Sequence, residues 1–346
     1  MLPIIKSCWR FVNISTIFFA ILATTATILG FASNLWWGFE LLEHPRLQYC
    51  QILLIALGIG GILRQRWSLV WLFPLTINLV IVLPLFLPSH HHKSPGINAP
   101  THTLRILHAN LDRHNSHMDQ AIKYINSQTA DVVLLQEITP SWLNQLQKHL
   151  HNYQLITAEP RENSHGSALF LPTSPTQLLV IKEIQTIHLP DYSERPLIET
   201  VFSIGETDFV ILSLHVTRSR NPGTSEFQQT EFDAVANWSQ IQQKAGKQVV
   251  IIGDFNTTPW SSRFRHLLKN SELHNSQQGY GFQTTWLASL PAPLRIPIDH
   301  CLYSKAFTTM KHKPGINIGS DHLPLLLELR LHERPKSPDW NIAREE

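Results

Sequence analysis

The chain has 346 residues, 43% of them hydrophobic, and its 28 Lys and Arg nearly balance its 26 Asp and Glu. A single hydrophobic core rarely grows beyond roughly 250–300 residues, so one large domain plus a smaller part is expected. Residues 1–100 carry six basic and two acidic residues and the remainder 22 and 24, which excludes a polycationic domain that grips long nucleic acid by charge neutralisation alone.

The smaller part comes first. No charged residue occurs from 11 to 39, from 47 to 63, or from 67 to 92. Runs of about 17–25 such residues are long enough to cross a bilayer, and the first is too long for the apolar core of a cleavable signal. Three transmembrane helices are expected, at about 12–33, 47–63 and 67–89, forming a membrane anchor over residues 1–92. Trp36, Trp37, Trp67 and Trp71 stand at the run ends, where amphipathic rings favour the headgroup layer. Pro74 and Pro84 predict a kink in the third helix. Lys6, Arg10, Arg64 and Arg66 mark the cytoplasmic side, so three crossings place residues 93–346 on the non-cytoplasmic side.

Residues 93–102 continue a Pro-, Ser- and His-rich stretch and read as a linker; the run His90, His91, His92 reads as solvated spacer rather than a metal site. From 103 to 331 short apolar runs alternate with amphipathic ones. Strands are predicted at 104–107, 131–135, 167–171, 178–184, 198–204, 209–214, 249–252, 298–303 and 325–331. A helix is expected after Ser116, with Asp119 completing a capping box, and another at about 225–243, burying Phe227, Val235, Trp238 and Ile241; a third follows Ser261. Strands outnumber helices, and hairpin-length connections mix with crossovers, so the pattern predicts α/β layers around mixed sheets. A polar tail occupies 332–346. Cys301 is the one cysteine after the anchor, which excludes an internal disulfide or a cysteine zinc site there.

Polar residues cluster where the predicted strands end: His108 to Asp112, Gln136 with Glu137, His215, then Gly253, Asp254, Phe255 and Asn256. Asp299 and His300 follow, and finally Gly319, Ser320, Asp321 and His322. Each alone has an ordinary structural explanation, such as a turn or a surface ion pair. As an ordered set they resemble the endonuclease/exonuclease/phosphatase superfamily over about residues 103–331. The Gly-Asp-Phe-Asn and Ser-Asp-His-Leu-Pro segments are the specific parts.

The resemblance implies a DNase I-like fold, a four-layer α/β sandwich with mixed sheets, here preceded by the three transmembrane helices. It also implies a phosphoester hydrolase in which water attacks phosphorus, with Mg²⁺ or possible Mn²⁺ as cofactor, held by oxygen ligands. By the family pattern Asn110, Glu137 and Asp321 serve the metal, with Asp112 at its edge. His322 is the central acid/base or phosphate-contacting residue, oriented by Asp299. Asp254 and Asn256 hold the attacking water, and His215 donates to phosphoryl oxygens. Whether His322 or Asp254 takes the water's proton stays open. Arg218 and Arg220 read as loop surface, and His300 as structural on the opposite strand face.

A phosphodiesterase or nuclease is the first functional reading. A phospholipid-headgroup phosphodiesterase or phosphatase of the sphingomyelinase or inositol-phosphatase type is the alternative, and a non-catalytic membrane scaffold the other. The partners implied are a phosphoester substrate, from nucleic acid or a phospholipid headgroup, and the lipid bilayer; no protein partner is predicted. Signatures of zinc peptidases, serine hydrolases and phosphate-loop enzymes are missing from the sequence.

Overall fold

The structure, a computed structural model, describes residues 3–88, 101–175 and 179–332. Residues 89–100, with the three histidines and most of the expected linker, and 333–346 of the expected tail lie outside these; Thr101 and His102 already belong to the first strand.

The amino-terminal part folds as α1 (Pro3–Leu29), a short α2 (Trp37–Leu41), α3 (Arg46–Ile62) and α4 (Leu72–Val82). Single 3₁₀ segments extend α4 at both ends, from Arg66 and to Phe86. Pro74 falls in the first turn of α4 and Pro84 where the helix tightens to 3₁₀, as expected of residues that cannot donate to the ladder. Two segments, Ser7–Ala32 and Arg66–Phe86, are long and apolar enough to cross a membrane; Arg46–Ile62 is shorter. Its 17 residues rise about 25 Å, the short limit for a crossing, so by length two spans stand out where three are expected. The three helices pack through Ala20, Ala23, Leu53, Trp71 and Leu75. Arg46 ties them together: its Nη1 donates to Asn78 Oδ1 (3.1 Å) and to the Thr27 carbonyl (3.4 Å), while Asn78 Nδ2 donates to Thr27 Oγ1 (2.8 Å). Phe18, Phe19, Leu54, Phe73 and Val80 face outward, exposed.

The rest is two six-stranded mixed sheets packed face to face, with helices outside. The first sheet contains β1 (Thr101–Asn110), β2 (Val132–Gln136), β3 (Tyr153–Glu159) and β4 (Ser167–Pro172). The second contains β5 (Val180–Ile187), β6 (Leu197–Ile204), β7 (Thr207–His215), β8 (Gln248–Asp254), β9 (His274–Asn275) and β10 (Asp299–Tyr303). The last strands, β11 (Phe307–Pro314) and β12 (Leu325–His332), return to the first sheet. Strand orders are β11-β12-β1-β2-β4-β3 and β5-β6-β7-β8-β10-β9. Leu104, Ile106, Val132, Leu134, Phe209, Ile211, Val250 and Ile252 fill the space between the sheets. Alternate residues of the same strands face outward, onto α5 (Met118–Asn126) and α6 (Pro140–His149) on one side. On the other they meet α7 (Pro222–Lys244) and α8 (Ser262–Ser271). The expected four-layer sandwich is thus present.

Local readings differ in places. His117, not Ser116, precedes α5, with no side-chain cap; Asn115 Oδ1 instead accepts from the His117 amide. The capping box belongs to α7, where Asn221 and Thr224 cap each other and Pro222 opens the helix. On α7 Val235 and Trp238 are buried, but Ile241 is exposed, and Phe227 lies half-buried beside Tyr192. Strands β3, β9 and β11 and helix α6 were not anticipated. His300 does sit on the outer face, against Phe255 and Phe264, bonded to the Thr257 carbonyl.

Candidate active site

In each central strand the stripe facing the other sheet is apolar until one end, where it becomes polar. On β1 it runs Leu104, Ile106, His108, Asn110; on β2, Val132, Leu134, Gln136. On β7 it runs Phe209, Ile211, Ser213, His215; on β8, Val250, Ile252, Asp254; on β10, read backwards, Tyr303, Cys301, Asp299. Parallel pairing sets Asn110 beside Gln136 and His215 beside Asp254, and antiparallel pairing sets Asp299 beside Asp254. The polar ends therefore meet at one edge of the sandwich. Gln136 joins the two sheets there: its Nε2 donates to the Leu214 carbonyl (2.7 Å) and its Oε1 accepts from the Asp254 amide (3.2 Å).

Asp299 accepts from two imidazoles, His322 Nδ1 at 2.9 Å and His108 Nε2 at 3.1 Å, all three groups being buried. His322 Nε2 then lies 3.7 Å from Asp254 Oδ2, and His215 Nε2 3.6 Å from the same oxygen. Asn256 donates through its amide and its Nδ2 to the two Asp254 oxygens (2.8 and 3.1 Å). The Ser320 hydroxyl fixes the His322 loop to β1, donating to the Asn110 carbonyl and accepting from the His322 amide. Burial alone lowers an imidazole pKa, but Asp299 and Asp254 outweigh it and push His322 up to about 10. Burial raises Asp254 to about 7, although His322 pulls against it. Burial also works against Asp299, yet His322 and His108 hold it well below the usual carboxylate range. His215, desolvated and facing Arg195, is held well below its ordinary value and is neutral.

Glu137 opens toward the same cleft. Its Oε1 accepts from Asn110 Nδ2 (3.2 Å) and its Oε2 from the Arg113 amide (3.2 Å). Burial raises its pKa above the ordinary carboxylate value. Asp321 Oδ2 accepts from Trp286 Nε1 (3.0 Å). Both carboxylates have lone pairs to spare, and the donor set is all hard oxygen, which suits Mg²⁺ or Mn²⁺. Asn110 Oδ1 is taken by the Asp112 amide, so as placed this residue orients Glu137. Asp254, Asp299 and His322 also bring ligand atoms within 4.8 Å of one another. Both Asp299 oxygens are already bonded to imidazoles. Asp112, Glu137 and Asn256 all have positive φ, a conformation that costs energy and is found at functional sites.

The cleft, about 250 Å³, is lined by every expected site residue except Asn110 and Asp299, which stand behind it. Four arginines reach it: Arg113, Arg195, Arg218 and Arg220. Arg218 and Arg220 are thus site-lining, against their reading as loop surface, and the Arg218 guanidinium sits 4.7 Å over the Trp286 ring. Arg195 is mostly buried between Thr217 and Glu231, and its Nη1 has no hydrogen-bond partner among the described residues. Arg195 and Trp286 were missed, and His108, though within the strand-end cluster, carried no expected role. The β1 alternation signals His108; no local pattern marks the other two.

The profile of the Endonuclease/Exonuclease/phosphatase family matches residues 98–322. No curated protein matches at a significant level. Among solved structures, zebrafish (D. rerio) TDP2 with a single-strand DNA product superposes with TM-score 0.52 at 16% identity, over 66% of this chain and 98% of its own. The human Nocturnin catalytic domain with bound sulfate gives 0.52 at 19%, over 67% and 97%. The mannosyl-6-phosphatase of Bacteroides thetaiotaomicron gives 0.50 at 17%, over 65% and 99%. At such identities these likenesses speak for the fold. With the profile spanning the strand-end residues of both sheets, the chain belongs to the Endonuclease/Exonuclease/phosphatase family.

Proposed function

We propose that the chain is a divalent-metal-dependent phosphodiester hydrolase held in a membrane, in which Asp254 takes the proton of the attacking water. The observation that carries this reading is the Asp299–His322–Asp254 array sharing one arginine-lined cleft with Glu137. Family membership supplies the class, phosphoester hydrolysis; metal and anchorage are the finer parts of the reading. Asp254, brought near neutrality and fixed by Asn256, is poised as a base at ordinary pH. His322, held as the imidazolium, stabilises charge growing on the phosphoryl oxygens, with neutral His215 donating beside it. Glu137 and Asp321 would hold the metal, and Asn110 keeps Glu137 aimed. When bound, Mg²⁺ or Mn²⁺ adds positive charge against the non-bridging oxygens.

The test is a panel of single-stranded DNA, duplex DNA, RNA, bis(p-nitrophenyl) phosphate, phospholipids and inositol phosphates, offered to the full chain in detergent with Mg²⁺. Diester cleavage abolished by chelator and restored by Mg²⁺ is expected. Glu137→Gln should weaken Mn²⁺ binding by about tenfold or more in calorimetry and lower kcat by about 10²-fold. Turnover undiminished in excess chelator would overturn the reading.

For orientation, the basic residues at 6, 10, 64 and 66 favour a catalytic domain outside the cytoplasm. Contacts between the two parts support it. Trp260 Nε1 donates to the Glu43 carbonyl, and the Gly279 and Gly281 amides donate to the Leu85 carbonyl, so the 33–45 connection and the exit from α4 meet the same domain. Protease access to the domain in intact spheroplasts is the check; protection until lysis would refute this placement.

A further inference from the structure

A second groove, about 430 Å³, adjoins the catalytic cleft and shares with it Arg218, Arg220, Asn256 and Trp286. The rest of its lining is Ser219, Ile296 and Ile298 from the catalytic domain with Leu41 and His44 from the amino-terminal part. His44 is fixed there by Thr258 (Nδ1 to Oγ1, 3.1 Å), and burial lowers its pKa to about 4, so this lining carries no charge. Glu43 and Glu40 hold this segment in place: Glu43 Oε2 accepts from the Ser262 amide, and Glu40 pairs with Arg263 at 3.0 Å. One end of the groove is cationic and catalytic; the other is made partly of the membrane anchor.

The segment that follows is the apolar helix α3. Gln48 and Gln51, on the first two turns of α3, donate to the Pro293 carbonyl, so the 3₁₀ turn Ala292–Leu294 lies along the side of that helix. Leu294 in that turn and Leu290 just before it are exposed, as are Leu35 and Trp36 just before α2. Exposed leucines and tryptophan beside an apolar bundle are what the bilayer interface covers.

We infer that this groove takes the apolar arm of an amphiphilic phosphodiester resident in the bilayer, and that Leu41, Leu290 and Leu294 determine that specificity. This rests on the hydrolase reading above. The phosphoryl group sits among Arg218, Arg220 and the catalytic residues. The glycerol and acyl portion passes Ile296 and Leu41 and stays in the bilayer, which spares the cost of lifting a lipid into water.

The full chain is reconstituted into phosphatidylcholine vesicles containing phosphatidylglycerol, and kcat/KM for phosphatidylglycerol is compared with that for bis(p-nitrophenyl) phosphate and single-stranded DNA. Two variants are used: Leu41→Trp, which fills the groove, and Leu294→Asp, which disturbs only an exposed turn. Each should lower the ratio of vesicle to soluble-diester kcat/KM by about tenfold or more, chiefly through KM. An unchanged ratio in both, or cleavage of soluble diester or DNA with the vesicle lipid untouched, overturns the inference while leaving the hydrolase reading standing. Cleavage of no probe removes both.

Discussion

Replacing Asp299 by Asn tests the proton array directly. The carboxylate serves two histidines, and an amide has only one acceptor oxygen, so either His322 or His108 must face an NH₂ group. His322 stands at about 10 rather than 6.5, which corresponds to about 5 kcal/mol favouring its cation. Asp299 is the largest contributor to that rise, and burial opposes it. Without the Asp299 charge, Asp254 and Asp321 remain as supports, and the imidazole should titrate below about pH 7. Nitrogen-15 histidine spectra in chelator follow this without any turnover: in the parent His322 stays protonated past pH 8, and in Asp299→Asn it deprotonates near neutrality. At pH 8, kcat should fall by about 10²–10³-fold, with partial recovery at lower pH where the imidazolium returns. His322 folds as the cation, so the stabilisation it confers is complete below pH 6.5 and is lost as pH rises through about 10. An unchanged His322 titration in the variant, or turnover within about threefold of the parent, would refute this account of Asp299.

Other outcomes follow from packing and burial. Glu40 is raised to about 7 by burial, against Arg263, so its burial costs nothing below pH 4.5 and about 3 kcal/mol above pH 7. Stability should therefore decline as pH rises through that window, and Glu40→Gln should flatten the decline in melting temperature; equal slopes would contradict it. Gly253 has φ +155°, and an added Cβ would strike the Leu214 carbonyl and Gln136 Nε2. Gly253→Ala should cost about 2–4 kcal/mol and displace Asp254, seen as a lowered denaturation midpoint together with lost turnover; a wild-type midpoint would count against the close fit.

Much of the catalytic part was legible in one dimension. Short apolar runs at 104–107, 131–135 and 249–252 mark buried strands with polar residues at their ends, and chain order then matches a family pattern. Three apolar runs likewise marked α1, α3 and α4, since length and composition alone make an apolar helix recognisable. The edge strands β3 and β11 were hidden because burial on them is irregular and each ladder has a register shift, so no clean period survives. The α5 start misled because Ser and Asp three apart are common, and Asn115 does the local bonding instead.

What only the tertiary structure decided are meetings between residues far apart in the chain. Asp299 serves His108 as well as His322 because antiparallel β10 carries it alongside Asp254 at the edge where β1 ends. Arg195, Arg218 and Trp286 lie on loops, whose direction depends on what they pack against. Leu41 and His44 reach the groove beside the catalytic cleft because Glu40, Glu43 and His44 bond to residues 258–263, more than two hundred positions away. Local sequence determines strand, helix and membrane preference through side-chain size, polarity and periodicity. Which distant side chains share a pocket depends on how sheets and helices dock, and that is set by the shape of the whole interior.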